Sequence, residues 1–128
     1  YGFKDNILRD IIYYKNEDLK AGLNNVEEIE RFISNAKTLN TEISSIQELG
    51  EQYHIGHTFF AEIVDIYKSY KELKGLTRPT TQLYRKDGGA VKILWDISIK
   101  PMITSFLGNL EPESRKDILN NLSKVYFN

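Results

Sequence analysis

Apolar residues recur along most of this chain at intervals of three and four, the spacing of a helix with one buried face. Phe3, Ile7, Leu8, Ile11 and Ile12 mark a first amphipathic helix from residue 4 to about residue 15. Asn16 to Asn25 is polar, contains Gly22 and reads as a turn, with one helical turn around Asp18 to Ala21. Ile29, Phe32, Ile33, Ala36, Leu39, Ile43 and Ile46 then continue a single stripe. Asn25 can cap this second helix, and Glu28 three residues later completes a capping box. Glu27, Glu28 and Glu30 fall in its first turn, where the helix dipole favours negative charge. Gly50 stands just past its end, where a left-handed residue is commonly needed.

Beyond Gly50 the pattern changes. Tyr53, Ile55 and His57 alternate over a few residues, which suggests a short extended segment. Thr58 is read as the cap of a third helix that runs to about Leu73, with Phe59, Ile63, Ile66, Tyr67, Tyr70 and Leu73 as its stripe and Gly75 as its stop. Residues 74 to 90 form the longest loop. Its Asp87-Gly88 pair can make a hairpin turn or lie in a plain loop before the next helix. The loop is the preferred reading, with Asp87 near that helix's N-terminus.

Val91, Leu94, Trp95, Ile99, Met102, Ile103, Phe106 and Leu107 fit a helix from Ala90 to Leu107. Pro101 lies inside it, removing one backbone hydrogen bond and crowding the preceding turn, so a kink near residue 97 is expected. Ile93, Ile97 and Ile99 also alternate with Lys92, Asp96 and Ser98, which keeps a strand over 91–99 as a competitor. Pro112 opens a last helix at the position where its missing N–H costs nothing. Ile118, Leu119, Leu122, Val125 and Tyr126 form the apolar face. The expectation is all-α: a small bundle of about five helices with one long basic loop, and a short two-stranded hairpin as the alternative within that loop.

Composition narrows the functional classes. The chain has 128 residues, 41% hydrophobic and 27% charged, with a net charge of −1. That length fits one domain with its own core. The charge balance gives no global attraction to nucleic acid or membrane. Cysteine is absent, which excludes disulfides and thiolate zinc sites and fits a reducing compartment. No apolar run approaches the roughly 20 residues that span a bilayer, and the first residues are not a signal peptide. A cytoplasmic location is the expectation. The missing initiator Met suggests a fragment or a trimmed form of a longer chain.

Chemistry-bearing residues concentrate in Leu49-Gly50-Glu51-Gln52-Tyr53-His54-Ile55-Gly56-His57-Thr58-Phe59-Phe60. Two glycines there permit backbone conformations, and close approaches, that other residues resist. The stretch resembles the apolar-G-x-x-apolar-x-I-G-H-S-Y/F-F signature near the C-terminal end of the AAA+ module in McrB-like proteins. Those are the GTP-hydrolysing subunits of 5-methylcytosine-specific DNA restriction systems and their ATP-using relatives. Leu39-Asn40 and Ile43 match the L-N-x-x-I that precedes the signature. Leu94-Trp95 with Ile99-Lys100-Pro101-Met102-Ile103 resembles the family's W…I-x-P-L-L-x-E-Y helix. Thr58 stands for the usual Ser, Phe59 for the usual Tyr and Met102-Ile103 for Leu-Leu, and the acidic residue before the final aromatic is replaced, Thr104-Ser105-Phe106 standing there.

The resemblance covers residues 26 to 107 and implies the helical lid of a nucleotide-hydrolysing motor. It further implies that Gly56, His57 and Thr58 sense nucleotide from a helix start. GTP or ATP with Mg would bind the parent protein's core rather than this chain. Its partners would be the AAA+ core of the same polypeptide and neighbouring ring subunits, with DNA reached through the parent complex. The chain itself has no G-x-x-x-x-G-K-[ST], hence no phosphate-cradling loop, and is not expected to hydrolyse nucleotide alone.

Other readings of the same residues stay open. His54 and His57, with Glu51, could form a metal site on a helix, but Gly56 between them argues against that helix. His57 could simply bond a carbonyl and hold the turn. Lys68, Lys71, Lys74, Arg78, Arg85, Lys86 and Lys92 form a basic group interleaved with Tyr67, Tyr70 and Tyr84. Such a group can meet phosphates or an acidic partner, or be an ordinary solvated surface. The competing function is a free-standing helical module for protein or nucleic-acid interaction, without catalytic activity.

Overall fold

The computed structural model describes residues 3–47, 49, 53–73, 83–85 and 88–128. Among the described residues it is an all-α bundle without a strand, whose helical segments run together into five helices. The elements in order are α1 (Asp5–Leu19), α2 (Val26–Ser44), α3 (His57–Ala61), α4 (Ile63–Leu73), α5 (Gly89–Leu94), a π-helical turn (Trp95–Ile99), α6 (Lys100–Phe106) and α7 (Pro112–Tyr126). The α3–α4 pair is interrupted only at Glu62, and α5, the π turn and α6 run on without a break. Gly50, Glu51, Gly75 and Asp87 lie outside the described residues.

The first helix is longer than its apolar stripe. It continues through the expected turn to Leu19 and ends on Lys20, which has a left-handed backbone (φ 51°). Gly22, at φ 78°, carries the chain back so that Ala21 and Leu23 are both buried. Asn16 fixes this return: its side-chain amide donates to the Leu23 carbonyl at 2.6 Å and its oxygen accepts from the Leu23 N–H at 2.8 Å.

In α2, Asn25 caps as expected, its side chain accepting from the Glu28 N–H at 3.2 Å. The reciprocal half of the box is not made. The Glu28 carboxylate instead accepts from the Tyr84 N–H at 3.0 Å and ties residues 83–85 to α2. The helix stops at Ser44, before the expected end, and Ile46 packs onto the core from outside it.

The third helix begins at His57, with Gly56 rather than Thr58 in the capping position. Among its expected stripe residues, Ile63, Tyr67 and Tyr70 are buried, whereas Phe59 and Leu73 are exposed. Pro101 sits in the first turn of α6, directly after a change in helix type. The turn before it is π-helical, with the Lys100 N–H reaching back to the Trp95 carbonyl. A wider turn relieves the contact that a proline ring makes with the carbonyl four residues earlier. The competing strand over 91–99 is therefore replaced by continuous helix.

Packing joins α1 to α3 and α4, α2 to α1 and α7, α4 to α5, and α6 to α7. A chain of aromatic contacts runs through the centre. Phe3 meets Phe60 edge-on, Phe60 meets Phe32, Phe32 meets Tyr126, and Tyr126 stacks on Trp95 at 5.2 Å. Such pairs add to the stabilisation from buried area alone. The Tyr126 hydroxyl donates to the Val91 carbonyl at 2.7 Å, which satisfies the one polar atom of a fully buried ring.

Candidate functional site

The centre of the Leu49–Phe60 stretch is Ile55, which is fully buried. A buried residue outside regular structure must still pair its backbone N–H and C=O. Asn40, itself fully buried on α2, does this. Its oxygen accepts from the Ile55 N–H at 2.7 Å, and its amide donates to the Ile55 carbonyl at 2.9 Å. One side chain thus replaces a neighbouring strand, and the segment stays extended without any ladder.

Gly56 follows in ordinary extended geometry (φ −70°, ψ 157°). A Cβ placed there would meet only Phe59 Cδ2, at 3.7 Å. Neither positive φ nor a close approach therefore demands glycine at this position, which corrects the argument from conformational freedom. His57, half-buried, opens α3. Its Nε2 accepts from the Lys4 N–H at 2.8 Å, so the ring's proton resides on Nδ1. Its ring stacks on Phe3 at 4.9 Å with an interplanar angle of 16°. The ring thus ties the start of α1 to the start of α3 by accepting from an N–H, where the plainer reading had it bonding a carbonyl and holding the turn. Thr58 and Phe59 are exposed beside it, as is His54. Among the described residues no cluster of three metal-ligating side chains occurs.

Among the described members of the basic group, Lys71, Arg85 and Lys92 make contacts within the chain. The Lys71 ammonium donates to the Ala21 carbonyl at 2.6 Å and lies over the Tyr67 ring. The Arg85 guanidinium lies 5.7 Å from the centre of the Tyr70 ring. Lys92 pairs with Asp96 at 2.8 Å. Lys68 is half-buried on α4. Lys74, Arg78 and Lys86 lie outside the described residues. The interleaved tyrosines are used as seats for the cations, a common role for an aromatic face.

Two further electrostatic contacts position the helices. Arg9 on α1 forks onto Glu30 on α2, with hydrogen bonds of 2.6 and 2.8 Å, and these bonds hold the Glu30 carboxyl below the ordinary carboxylate range. Lys15 pairs with Asp65 and links α1 to α4. Near α2, the Arg31 guanidinium lies 3.8 Å above the Tyr84 ring. Burial pushes the Tyr84 phenol up to about 12 and the Tyr126 phenol also well above its usual value.

Sequence reasoning missed the two asparagine clamps. Asn16 looked like any polar residue in a polar stretch, and Asn40 stood out only through the L-N-x-x-I likeness. The available signal was an amide side chain on the apolar face of a helix, where an unpaired polar group would be costly. Comparison of the chain with protein-family models, with curated proteins and with solved structures finds no match. The fold and site therefore define a helical bundle organised around a clamped, histidine-bearing turn.

Proposed function

We propose that this chain is the C-terminal helical lid of a McrB-like nucleotide-hydrolysing motor of a DNA restriction system, acting in the cytoplasm. It has no catalysis of its own. It contributes to nucleotide sensing through the Gly56-His57-Thr58 turn and to ring assembly beside the parent's GTP- or ATP-binding core. One observation carries this reading. The residues that bear the resemblance lie apart in sequence yet work together: Asn40 clamps Ile55, Leu39 and Ile43 are buried beside Asn40 on α2, and Trp95 and Ile99 enter the same core.

The test starts with the coding sequence upstream of Tyr1. The expected finding is a P-loop about 200–300 residues earlier, the length of one α/β core with insertions. In the complete polypeptide, Thr58→Ala and Phe59→Ala should lower GTP or ATP turnover while leaving the lid folded. A start codon shortly before Tyr1, with no P-loop in frame, would refute the lid.

A second reading, a helical interaction module without catalytic activity, is favoured by the engagement of His57. Its Nε2 and one ring face are already occupied by Lys4 and Phe3. Under that reading, alanine at His57 loosens the residue 3–5 arm and touches no nucleotide chemistry.

A further inference from the structure

Helix α1 buries Leu8 and Ile12 and turns its opposite face to solvent. The exposed positions from Asn6 to Asp18 are, between those two ends, Ile7, Asp10, Tyr13, Tyr14 and Glu17. Asp10, Glu17 and Asp18 are acidic, and none of these positions is basic. The two cations in mid-helix are spent on other helices: Arg9 forks onto Glu30 of α2, and Lys15 pairs with Asp65 of α4. Lys4 and Lys20 stand at the two ends of the helix. With Glu30 and Asp65 counted, six carboxylates meet four cations along α1. Among the described residues no cation comes within ion-pair distance of Asp10, Glu17 or Asp18. The negative charge of the face is therefore uncompensated. It also lies in a part of the chain, residues 5–62, that carries eleven acids against five bases.

Acids alone would make an ordinary solvated surface. The apolar residues among them change that. Tyr14 is 70% exposed and Ile7 40%. Asp10 lies one turn before Tyr14, and Glu17 and Asp18 lie one turn after it, so the three carboxylates share its side of the helix. Five described tyrosines have a ring or a cation against them: Tyr53 has Phe106, Tyr67 has Lys71, Tyr70 has Arg85, Tyr84 has Arg31 and Tyr126 has Trp95. Among the described residues Tyr14 has neither. A tyrosine face flanked by carboxylates suits a guanidinium, which stacks on the ring and bonds a carboxylate at its edge. A metal ion fits poorly, because Asp10 and Glu17 stand about 10 Å apart along the axis, too far to share one. Nucleic acid would be repelled through its phosphates. A second copy of the chain brings few free guanidinium groups, since Arg9, Arg31 and Arg85 are all engaged internally.

We infer that the outer face of α1 is a docking site for an arginine-bearing amphipathic segment of a different protein. Asp10, Glu17 and Asp18 read its charge, Tyr14 seats a guanidinium and Ile7 meets an aliphatic side chain. The site is independent of the lid reading, because α1 lies outside residues 26–107, which carry the resemblance.

The test is titration of a peptide with Arg and Leu at helical spacing into the isotope-labelled chain, to about 1 mM peptide, followed by NMR. The largest amide shifts should fall between Ile7 and Asp18. Each exposed ion pair or cation–ring contact strengthens binding by a factor of about two to five. Combined Asp10→Asn, Glu17→Gln and Asp18→Asn should therefore weaken the complex about tenfold or more, and Tyr14→Ala alone about two- to fivefold. These positions are exposed, so thermal melting should be nearly unchanged. Asp117→Asn, on α7, should have no effect. A scrambled peptide of the same composition should bind more weakly than the ordered one. Equal affinity of the triple variant and the parent overturns the proposal. So does equal affinity for the scrambled peptide, which would reduce the face to a general sink for positive charge. So do shifts centred on another helix, or none at all. So does self-association in sedimentation that the triple variant abolishes, which would make the occupant a second copy of the chain.

Discussion

Replacing Asn40 by alanine removes both partners of Ile55 at once. The Ile55 N–H and C=O belong to a fully buried residue and are bonded at 2.7 and 2.9 Å to a side chain that is itself fully buried. An unmade hydrogen bond at a buried backbone group costs about 1–3 kcal/mol. Two such groups give a loss of about 2–6 kcal/mol, a large share of the roughly 5–15 kcal/mol that holds a domain folded. A chain of this length loses about 3–5 °C of midpoint per kcal/mol, so Asn40→Ala should melt about 6 °C or more below the parent. Urea titration followed by circular dichroism gives the free energy directly. Asn40→Asp separates the two bonds: a carboxylate accepts from the Ile55 N–H but has nothing to donate to the carbonyl, and it buries a charge. It should be no better than alanine. Asn16→Ala removes the analogous pair at Leu23, but that clamp is only partly buried, water can substitute, and the cost should be smaller. If Asn40→Ala stays within about 0.5 kcal/mol of the parent, the clamp is not what the geometry implies and the argument from backbone accounting fails.

Three further outcomes follow from the same structure. Gly89→Ala should destabilise more than Gly22→Ala in urea titrations. Both residues have positive φ, but a Cβ at Gly89 meets the Leu83 carbonyl oxygen at 2.4 Å, whereas one at Gly22 meets the movable Lys71 Nζ at 2.9 Å. The Tyr84 phenol, raised by burial to about 12, loses its proton first in the unfolded chain, near pH 10. Its stabilising contribution is therefore complete below about pH 10 and lost as the pH rises towards 12, so Tyr84→Phe should flatten that decline in an alkaline stability series. Glu30 shifts the opposite way: its contribution is present above the ordinary carboxyl value of about 4.3 and lost as pH falls below it. Glu30→Gln should flatten the acid limb, and the difference should shrink in about 1 M salt, where the screening length is near 3 Å.

How legible this molecule was depends on the kind of signal. Helix positions were readable because they are local. Asn25 ahead of Glu28, Pro112 at a first helical position and the stripe from Ile29 to Ile43 each state a boundary or a face on their own. Long-range exchanges were not. Glu28 satisfies its capping pattern in sequence, yet its carboxylate goes to Tyr84, fifty-six residues on. Lys71 and Arg85 look like a ligand-seeking surface until the ring faces of Tyr67 and Tyr70 come beneath them. His57 was singled out correctly as a feature of the turn, but the ring and N–H that engage it belong to Phe3 and Lys4, at the other end of the chain order.

The π turn at Trp95–Ile99 sets the phase of everything after it. Buried Val91, Trp95, Ile99, Ile103 and Leu107 follow one another every four residues, whereas an α-helix repeats every 3.6, so an unbroken α-helix would let this row spiral away from the core. The wider turn inserts a correction midway. Deleting a single residue there, such as Ile97, would turn the Lys100-to-Trp95 bond into an ordinary α-helical one and keep Ile103 and Leu107 facing the interior, whereas regularising the turn at full length would swing them off it, and α7 would lose the surface against which it rests.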